Sequence, residues 1–234
     1  MIEHFDGIGK QFDNSAFKRG AEAMLHKGYA FDYLSDKQMG NVVIEGGKLI
    51  TEGKSQYSTI VIPKVEYIPI ATLQKMISLA EEGATVIALE GLPASFAGYG
   101  RYEENKKAFE TGMRQLENGK QVTPGVNEIK VGKGRIIEGD SLDILLKYAS
   151  IRRETFQDNG IQFIRKKRSD GRGMYLISNG SDNLFEGWLT IQTKAASVVL
   201  FDPMNGEYGK ASIRNAHADS TEVFVQLPKQ QTLI

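Results

Sequence analysis

The chain has 234 residues, of which 41% are hydrophobic and 25% charged. That length holds one large domain or two small ones, and that balance excludes a wholly disordered or a collagen-like polypeptide. The 29 Lys and Arg offset the 29 Asp and Glu, so the chain as a whole lacks the basic charge that draws a protein to nucleic acid or an acidic membrane.

The first two-thirds alternates helix-period and strand-like segments. Asn14 or Ser15 can cap a helix with Phe17, Ala21, Met24 and Leu25 on one face, and Gly28 can end it. Tyr29–Leu34 alternates and is aromatic, which predicts a strand, and Ser35 or Asp36 can cap a short helical turn after it. Gly46-Gly47 between Val42–Glu45 and Lys48–Ile50 predicts a hairpin. Thr59–Ile62 is a short apolar run of the kind that is covered on both faces in a parallel sheet. Leu73, Met76, Ile77 and Ala80 follow at helical spacing, Gly83 stops them, and Ala84–Leu89 is a second apolar run. Strand, helix and strand in about thirty residues predict a right-handed βαβ unit. Arg101–Glu117 reads as another helix, Glu128–Val131 and Arg135–Ile137 as a hairpin around Gly132-Lys133-Gly134, and Asp140 or Ser141 as the cap of a last helix carrying Leu142, Leu145 and Leu146.

Near Ser150 the pattern changes. Short strand candidates recur at Ile161–Arg165, Met174–Ser178, Phe185–Gln192, Ser197–Phe201 and Glu222–Leu227, divided by clusters such as Ser169-Asp170-Gly171 and Asn179-Gly180-Ser181-Asp182. Such spacing predicts an antiparallel β-sandwich after the α/β domain, with the boundary in Ile151–Gln157.

The chemistry is mostly one of exclusions. Cysteine is absent, which removes disulfides, thiolate metal sites and a cysteine nucleophile. His4, His26 and His217 lack metal-ligand spacing. No apolar run reaches the roughly 18 residues of a membrane span, and Met1–Phe5 has no basic n-region leading to an apolar core, so no secretory signal is expected. The loop Pro63–Pro69 contains no glycine to cradle a phosphate, and Gly98-Tyr99-Gly100 is a G-x-G without the rest of a dinucleotide fingerprint. No cofactor is therefore expected. A glutamine amidotransferase would need a cysteine at the strand-to-helix turn, and Leu89-Glu90-Gly91-Leu92-Pro93 has none.

Several features admit both a functional and a structural reading. Arg165–Arg168 with Arg172 is either an anion or polysaccharide contact or a solvated hairpin end, and the absence of interleaved aromatics favours the second. Asn179-Gly180-Ser181 fits a glycosylation sequon but also a hairpin turn, the preferred reading. Trp188 fits a sugar-stacking platform or, preferably, a buried sandwich core. Asp182 and Glu186 lack the Asx-rich loop of a calcium site. Glycoside hydrolysis needs two carboxylates across the scissile bond, and no spacing singles out a pair among Asp32, Asp36, Glu66 and Glu90. Asp32 sits among aromatics, where a carboxylate tying neighbouring backbone N–H groups is the simpler role.

Five stretches resemble one family. Gly28–Asp36 (GYAFDYLSD) is similar to the G-Y-x-F-D-Y segment of the α-L-rhamnosidase-type glycoside hydrolases, family 106. Lys48–Pro63, Thr72–Val86, Phe163–Asn179 and Leu200–Gly206 (LFDPMNG) resemble that family's further segments in order and spacing. Ile164-Arg165-Lys166 stands where the family often carries His-Arg, and this arginine-rich departure, Arg165–Arg168 without the histidine, counts against a substrate-facing role for that strand.

The resemblance implies a parent enzyme that hydrolyses O-glycosidic bonds in plant-type polysaccharides with an (α/β)8 barrel lying before these segments. It implies that this chain is the non-barrel portion: residues 1–152 a flavodoxin or class I glutamine amidotransferase-like α/β domain without its nucleophile, residues 153–234 an antiparallel β-sandwich. The closing run Gln226–Ile234 is expected to belong to a longer polypeptide. No catalytic residue is carried over, and Asp32, Tyr33 and Glu90 are the substrate-adjacent candidates. The implied partners are the catalytic barrel of the same polypeptide and an oligosaccharide, with no nucleic acid and no membrane span. An uncovered docking face would favour self-association, and the full-length parent is expected in the periplasm or outside the cell. Two other readings stay open: a carbohydrate-binding module using the sandwich, with Tyr175, Trp188 and the basic cluster as handles, and a free-standing flavodoxin-fold enzyme.

Overall fold

A computed structural model describes residues 12–168, 171–217 and 219–234. Contacts divide the chain into two compact units. The first comprises Asp32–Ile151 with the described residues up to Ala21; the second comprises Glu22–Phe31 with Arg152–Ile234. His4 lies outside the described residues, as do Ser169 and Asp170 of one expected turn.

Helix α1, Ala16–His26, starts where Ser15 Oγ accepts the Lys18 N–H at 3.1 Å. Helix α2, Asp36–Gly40, starts at Ser35 in a reciprocal capping box with Gln38, which satisfies two otherwise orphaned N–H groups. Strands β1, Val43–Glu45, and β2, Lys48–Ile50, form the predicted hairpin, with Gly46 and Gly47 both at positive φ. Strand β3, Gln56–Tyr57, extends it.

The main sheet of the first unit grows from β4, Thr59–Ile62. A two-residue strand β5, Tyr67–Ile68, and helix α3, Ile70–Glu82, lead to β6, Thr85–Leu89, which pairs parallel with β4. Strand β7, Ser95–Phe96, pairs parallel with β5. Helix α4, Tyr102–Gln115, follows, then β8, Lys120–Thr123, β9, Val126–Val131, and β10, Gly134–Gly139. The order is β4-β6-β10-β9-β8, with β10 parallel to β6 and antiparallel to β9. Helix α5, Leu142–Tyr148, closes the unit.

Leu73, Met76 and Ala80 recur at helical spacing because one face of α3 lies on the sheet, and there they join Val86, Ala88 and Ile136 in a continuous core. Each fully buried Leu, Met or Ile in it contributes about 2 kcal/mol. At Gly134 a Cβ would stand 2.2 Å from the Ala84 carbonyl oxygen, so only glycine lets β10 enter beside the end of α3.

The second unit is antiparallel throughout. A 3-10 turn, Thr155–Asn159, precedes β11, Ile161–Lys167, and β12, Gly173–Asn179. Strand β13, Phe185–Ile191, is followed by β14, Val199–Phe201, β15, Tyr208–Lys210, β16, Ile213–His217, β17, Ser220–Leu227, and β18, Thr232–Leu233. These form sheets β11-β12-β18 and β13-β17-β16 with a separate β14-β15 pair. Phe156, Ile161, Ile177, Leu189, Val223, Val225 and Leu227 make their common core.

Three local expectations fail. Tyr29–Leu34 is not a strand: the Tyr29 N–H is taken by Met24 O at 2.9 Å and Gly28 O by the Glu154 N–H at 2.8 Å, so no ladder forms there. Asn179-Gly180 does not turn a hairpin, since β12 and β13 belong to different sheets. Trp188 is not core, being 37% exposed on the outer side of its sheet.

Candidate functional site

In a partly parallel sheet, ligands gather beyond the carboxyl ends of the strands. There the first unit has a cleft of about 350 Å³, lined by Glu90, Gln121, Asn127, Glu138 and Asp140 among others. Glu90 follows β6 at φ 58° and donates its N–H to Gly139 O at 2.9 Å, which fixes its backbone over the end of β10. Its carboxylate lies 3.5 Å from Lys64 Nζ of the loop after β4. The Asn127 amide donates to Glu138 Oε1 at 2.6 Å and so orients that carboxylate. At Gly139 a Cβ would stand 2.1 Å from the Gly125 carbonyl oxygen, so the floor of the cleft requires glycine. The lining is rich in hydrogen-bond acceptors, which suits a ligand that offers many hydroxyl donors.

Asp32 and Tyr33 lie elsewhere in that unit. The Tyr57 hydroxyl donates to Asp32 Oδ2, so Asp32 answers a side chain rather than the neighbouring backbone. Burial, and then the Asp32 hydrogen bond and charge, push the Tyr57 hydroxyl above the ordinary tyrosine range. Tyr33 is exposed and stacks on Phe17 with ring centroids 5.1 Å apart. Asp36 accepts from Thr72 Oγ1 at 2.6 Å, tying α2 to the first turn of α3. The cleft is lined by Glu90 and by neither Asp32 nor Tyr33, so the three candidates do not share one lining.

In the second unit the notable group is Glu154, which no spacing or motif marks. Its side chain is 1% exposed. The carboxylate accepts from Arg165 Nη1 at 3.0 Å, from the Tyr175 hydroxyl at 2.9 Å and from the Gln192 N–H at 3.1 Å. Desolvation pushes its carboxyl up despite these donors, and pushes the Tyr175 hydroxyl up as well. Arg165 is therefore the partner of a buried carboxylate and not simply part of a solvated hairpin end. Asn179 is fully buried: its amide donates to Asn183 O at 2.7 Å and Leu227 O at 2.8 Å, and its Oδ1 accepts from Ser181 N and Oγ. An amide so committed does not fit a glycan acceptor. The Arg214 guanidinium lies 4.3 Å from the centre of the Trp188 ring, and Phe224 meets the same ring edge-on at 5.5 Å.

Among the described residues no group of three or more His, Asp or Glu is placed to hold a metal ion, and no helix is long and apolar enough to cross a membrane. His217 belongs to β16, and its side chain lies outside the described atoms.

Residues 8–215 match the model of glycoside hydrolase family 106, described as alpha-L-rhamnosidase. A protein of Formosa agariphila named "Putative beta-glucuronidase" is 22% identical over 216 residues, which is 91% of this chain and 17% of that protein. Among solved structures, the rhamnosidase from Novosphingobium sp. PP1Y superposes with a TM-score of 0.72 at 20% identity, over 88% of this chain and 19% of its own. The beta-galactosidase from Bacillus circulans sp. alkalophilus superposes at 0.53 with 10% identity, over 97% of this chain and 38% of its own. At these identities the structural likeness is one of fold. The chain thus spans less than a fifth of the length of the Formosa protein and of the rhamnosidase.

Proposed function

The chain belongs to glycoside hydrolase family 106, the alpha-L-rhamnosidase family, and from that premise we propose that it is a non-catalytic accessory region of a glycoside hydrolase. In this reading its two units pack against a catalytic barrel of the same polypeptide and wall one side of the substrate cleft. The parent, in this reading, acts on O-glycosidic bonds, which the family's description supports, and those bonds lie in plant-type polysaccharides. The first unit then serves as an amidotransferase-like scaffold without a nucleophile, and the second as a β-sandwich.

One observation carries the reading. Family membership covers most of the chain, yet the chain spans only 19% of the rhamnosidase it superposes on. An (α/β)8 barrel takes about 250 residues and eight parallel strands, whereas the main sheet here has three parallel strands, β4, β6 and β10. Two carboxylates of the cleft also have ground-state partners, Lys64 for Glu90 and Asn127 for Glu138.

The glycan-holding reading of the second unit is not favoured. Its handles are engaged: Tyr175 and Arg165 with Glu154, and Trp188 with Arg214. The test is an assay of the 234-residue chain on aryl α-L-rhamnosides and pectic oligosaccharides. No hydrolysis is expected, and turnover that disappears in Asp32→Ala or Glu90→Ala would overturn the proposal.

A further inference from the structure

The chain contains four Asn-Gly pairs, at Asn118, Asn159, Asn179 and Asn205. In such a pair the glycine nitrogen, unhindered by a Cβ, can close on the asparagine side-chain carbonyl carbon. Two conditions separate the four in the fold. The glycine N–H must be unengaged, and the asparagine side chain must be able to turn towards it.

Three pairs fail the first condition. The Gly160 N–H is given to Gln157 O at 3.0 Å, the Gly180 N–H to Gly160 O at 3.1 Å and the Gly206 N–H to Asp202 O at 2.9 Å. Two of these also fail the second. Asn179 is fully buried and its side chain is held by the four hydrogen bonds described above. Asn205 Oδ1 accepts the Glu207 N–H at 2.8 Å, and its amide donates to Glu207 Oε2 at 3.3 Å.

Asn118-Gly119 meets both conditions. The pair lies in the turn between α4 and β8, with Asn118 exposed. Among the described residues neither the Gly119 N–H nor the Asn118 side chain has a hydrogen-bond partner. Gly119 also touches the edge of the cleft. A Cβ there would stand 2.4 Å from Asn127 Nδ2, the same amide nitrogen that donates to Glu138 Oε1 at 2.6 Å.

We propose that Asn118 is a site of spontaneous deamidation whose isoaspartyl product disturbs Asn127 at the edge of the cleft. Hydroxide takes the Gly119 N–H proton, and the nitrogen attacks Asn118 Cγ. The N–Cγ bond forms, the Cγ–Nδ2 bond breaks, and ammonia leaves with a proton from water. Water then opens the five-membered imide at either carbonyl, giving aspartate or isoaspartate. One water is consumed and one ammonia released, with no redox change. Either product places a new carboxylate beside Glu117. Isoaspartate also lengthens the main chain by one methylene just before Gly119, which is in contact with the amide that orients Glu138. This chemistry needs no substrate and is independent of the accessory role.

The test is ageing of the folded 234-residue chain at mildly alkaline pH, followed by tryptic mapping under mildly acidic conditions. The four pairs fall in four different tryptic peptides, Asn118 in Gln115–Lys120. Acid is expected to accumulate there about tenfold faster than at Asn159 or Asn205, the scale of one backbone hydrogen bond that need not break. Labelling by an isoaspartyl methyltransferase identifies the isomer. In urea the advantage of Asn118 is expected to vanish, and Asn118→Gln is expected to abolish acid formation in that peptide alone. Ageing at Asn118 no faster than at Asn159 or Asn205, or the same advantage kept in urea, would overturn the inference. The Asn127 side-chain amide resonance is expected to move in the isoaspartyl form and to stay in place in Asn118→Asp, which adds the charge without the methylene. An unmoved resonance in the aged chain, or an equal shift in Asn118→Asp, would overturn the effect on the cleft.

Discussion

Gly28 lies directly against the main chain of Glu154. A Cβ at Gly28 would stand 2.2 Å from the Glu154 carbonyl oxygen, and the Gly28 carbonyl accepts the Glu154 N–H at 2.8 Å. Gly28 also has φ +80°, a conformation that L side chains seldom adopt. This contact ties the segment after α1 into the second unit and places the Glu154 side chain under Arg165 and Tyr175.

Gly28→Ala therefore meets both a backbone clash and a disfavoured φ. The expected loss of stability is about 2–4 kcal/mol, combining overpacking with left-handed strain. Urea unfolding followed by far-UV circular dichroism measures it, and an unchanged midpoint would show that the contact is not constraining.

Glu154 gives the second unit a pH dependence of predictable sign. Burial raises its carboxyl above the ordinary range, so over the interval between the unfolded and folded values the folded chain binds more protons. Stability falls as pH rises through that interval and levels off above it. Glu154→Gln carries no charge to desolvate and is expected to abolish this slope. Denaturant midpoints from pH 4 to 8 for both proteins make the comparison. Glu154→Ala leaves a hydroxyl and an N–H without their acceptor and is expected to cost about 2–4 kcal/mol at neutral pH.

Asn179 closes a loop with four side-chain hydrogen bonds, two given to carbonyls and two received from Ser181. Asn179→Ala is expected to cost about 2–3 kcal/mol because buried carbonyls lose their donors. Asn179→Asp is expected to cost at least as much at neutral pH, since a carboxylate would face the Asn183 and Leu227 carbonyls. Thermal unfolding at pH 7 ranks the two.

The chain has a single tryptophan, so its emission reports on the outer face of the β13-β17-β16 sheet. Arg214→Ala removes the cation from the Trp188 ring, at an expected cost of about 0.5–1 kcal/mol. Acrylamide quenching of the emission is expected to rise. A ring already fully open to quencher in the parent chain would contradict the stacked geometry.

Much of the element pattern was legible. Leu73, Met76 and Ala80 repeat every third or fourth residue because one face of α3 is buried, and Gly83 ends it at φ +124°. The prediction of Arg101–Glu117 as a helix differs from the structure by one residue at the start and two at the end. Tyr29–Leu34 misled because alternation predicts a strand only where a neighbouring backbone is free to pair, and here the Tyr29 N–H and the Gly28 carbonyl are already taken. Trp188 misled because period-2 alternation gives two faces without saying which is inward. Glu154 carried no signal at all, for nothing in Arg152-Arg153-Glu154 distinguishes a buried carboxylate from a solvated one. Of the cleft, Glu90 was singled out and Glu138, Asp140 and Asn127 were not, since the walls come from strands brought together only by the β10-β9 pairing.

By itself the sequence determined the βαβ run from Thr59 to Leu89, the helices after it, the absence of cysteine chemistry and the family to which the chain belongs. These depend on residue type and on spacings of a few positions, where local backbone geometry is nearly fixed. The tertiary structure alone decided which polar groups meet: Asp32 with Tyr57, Glu154 with Arg165 and Tyr175, Arg214 with Trp188. Each pair is brought together by chain folding across turns and strand partners, and an ionisable side chain takes its character from what the fold sets beside it and from how much water the fold removes.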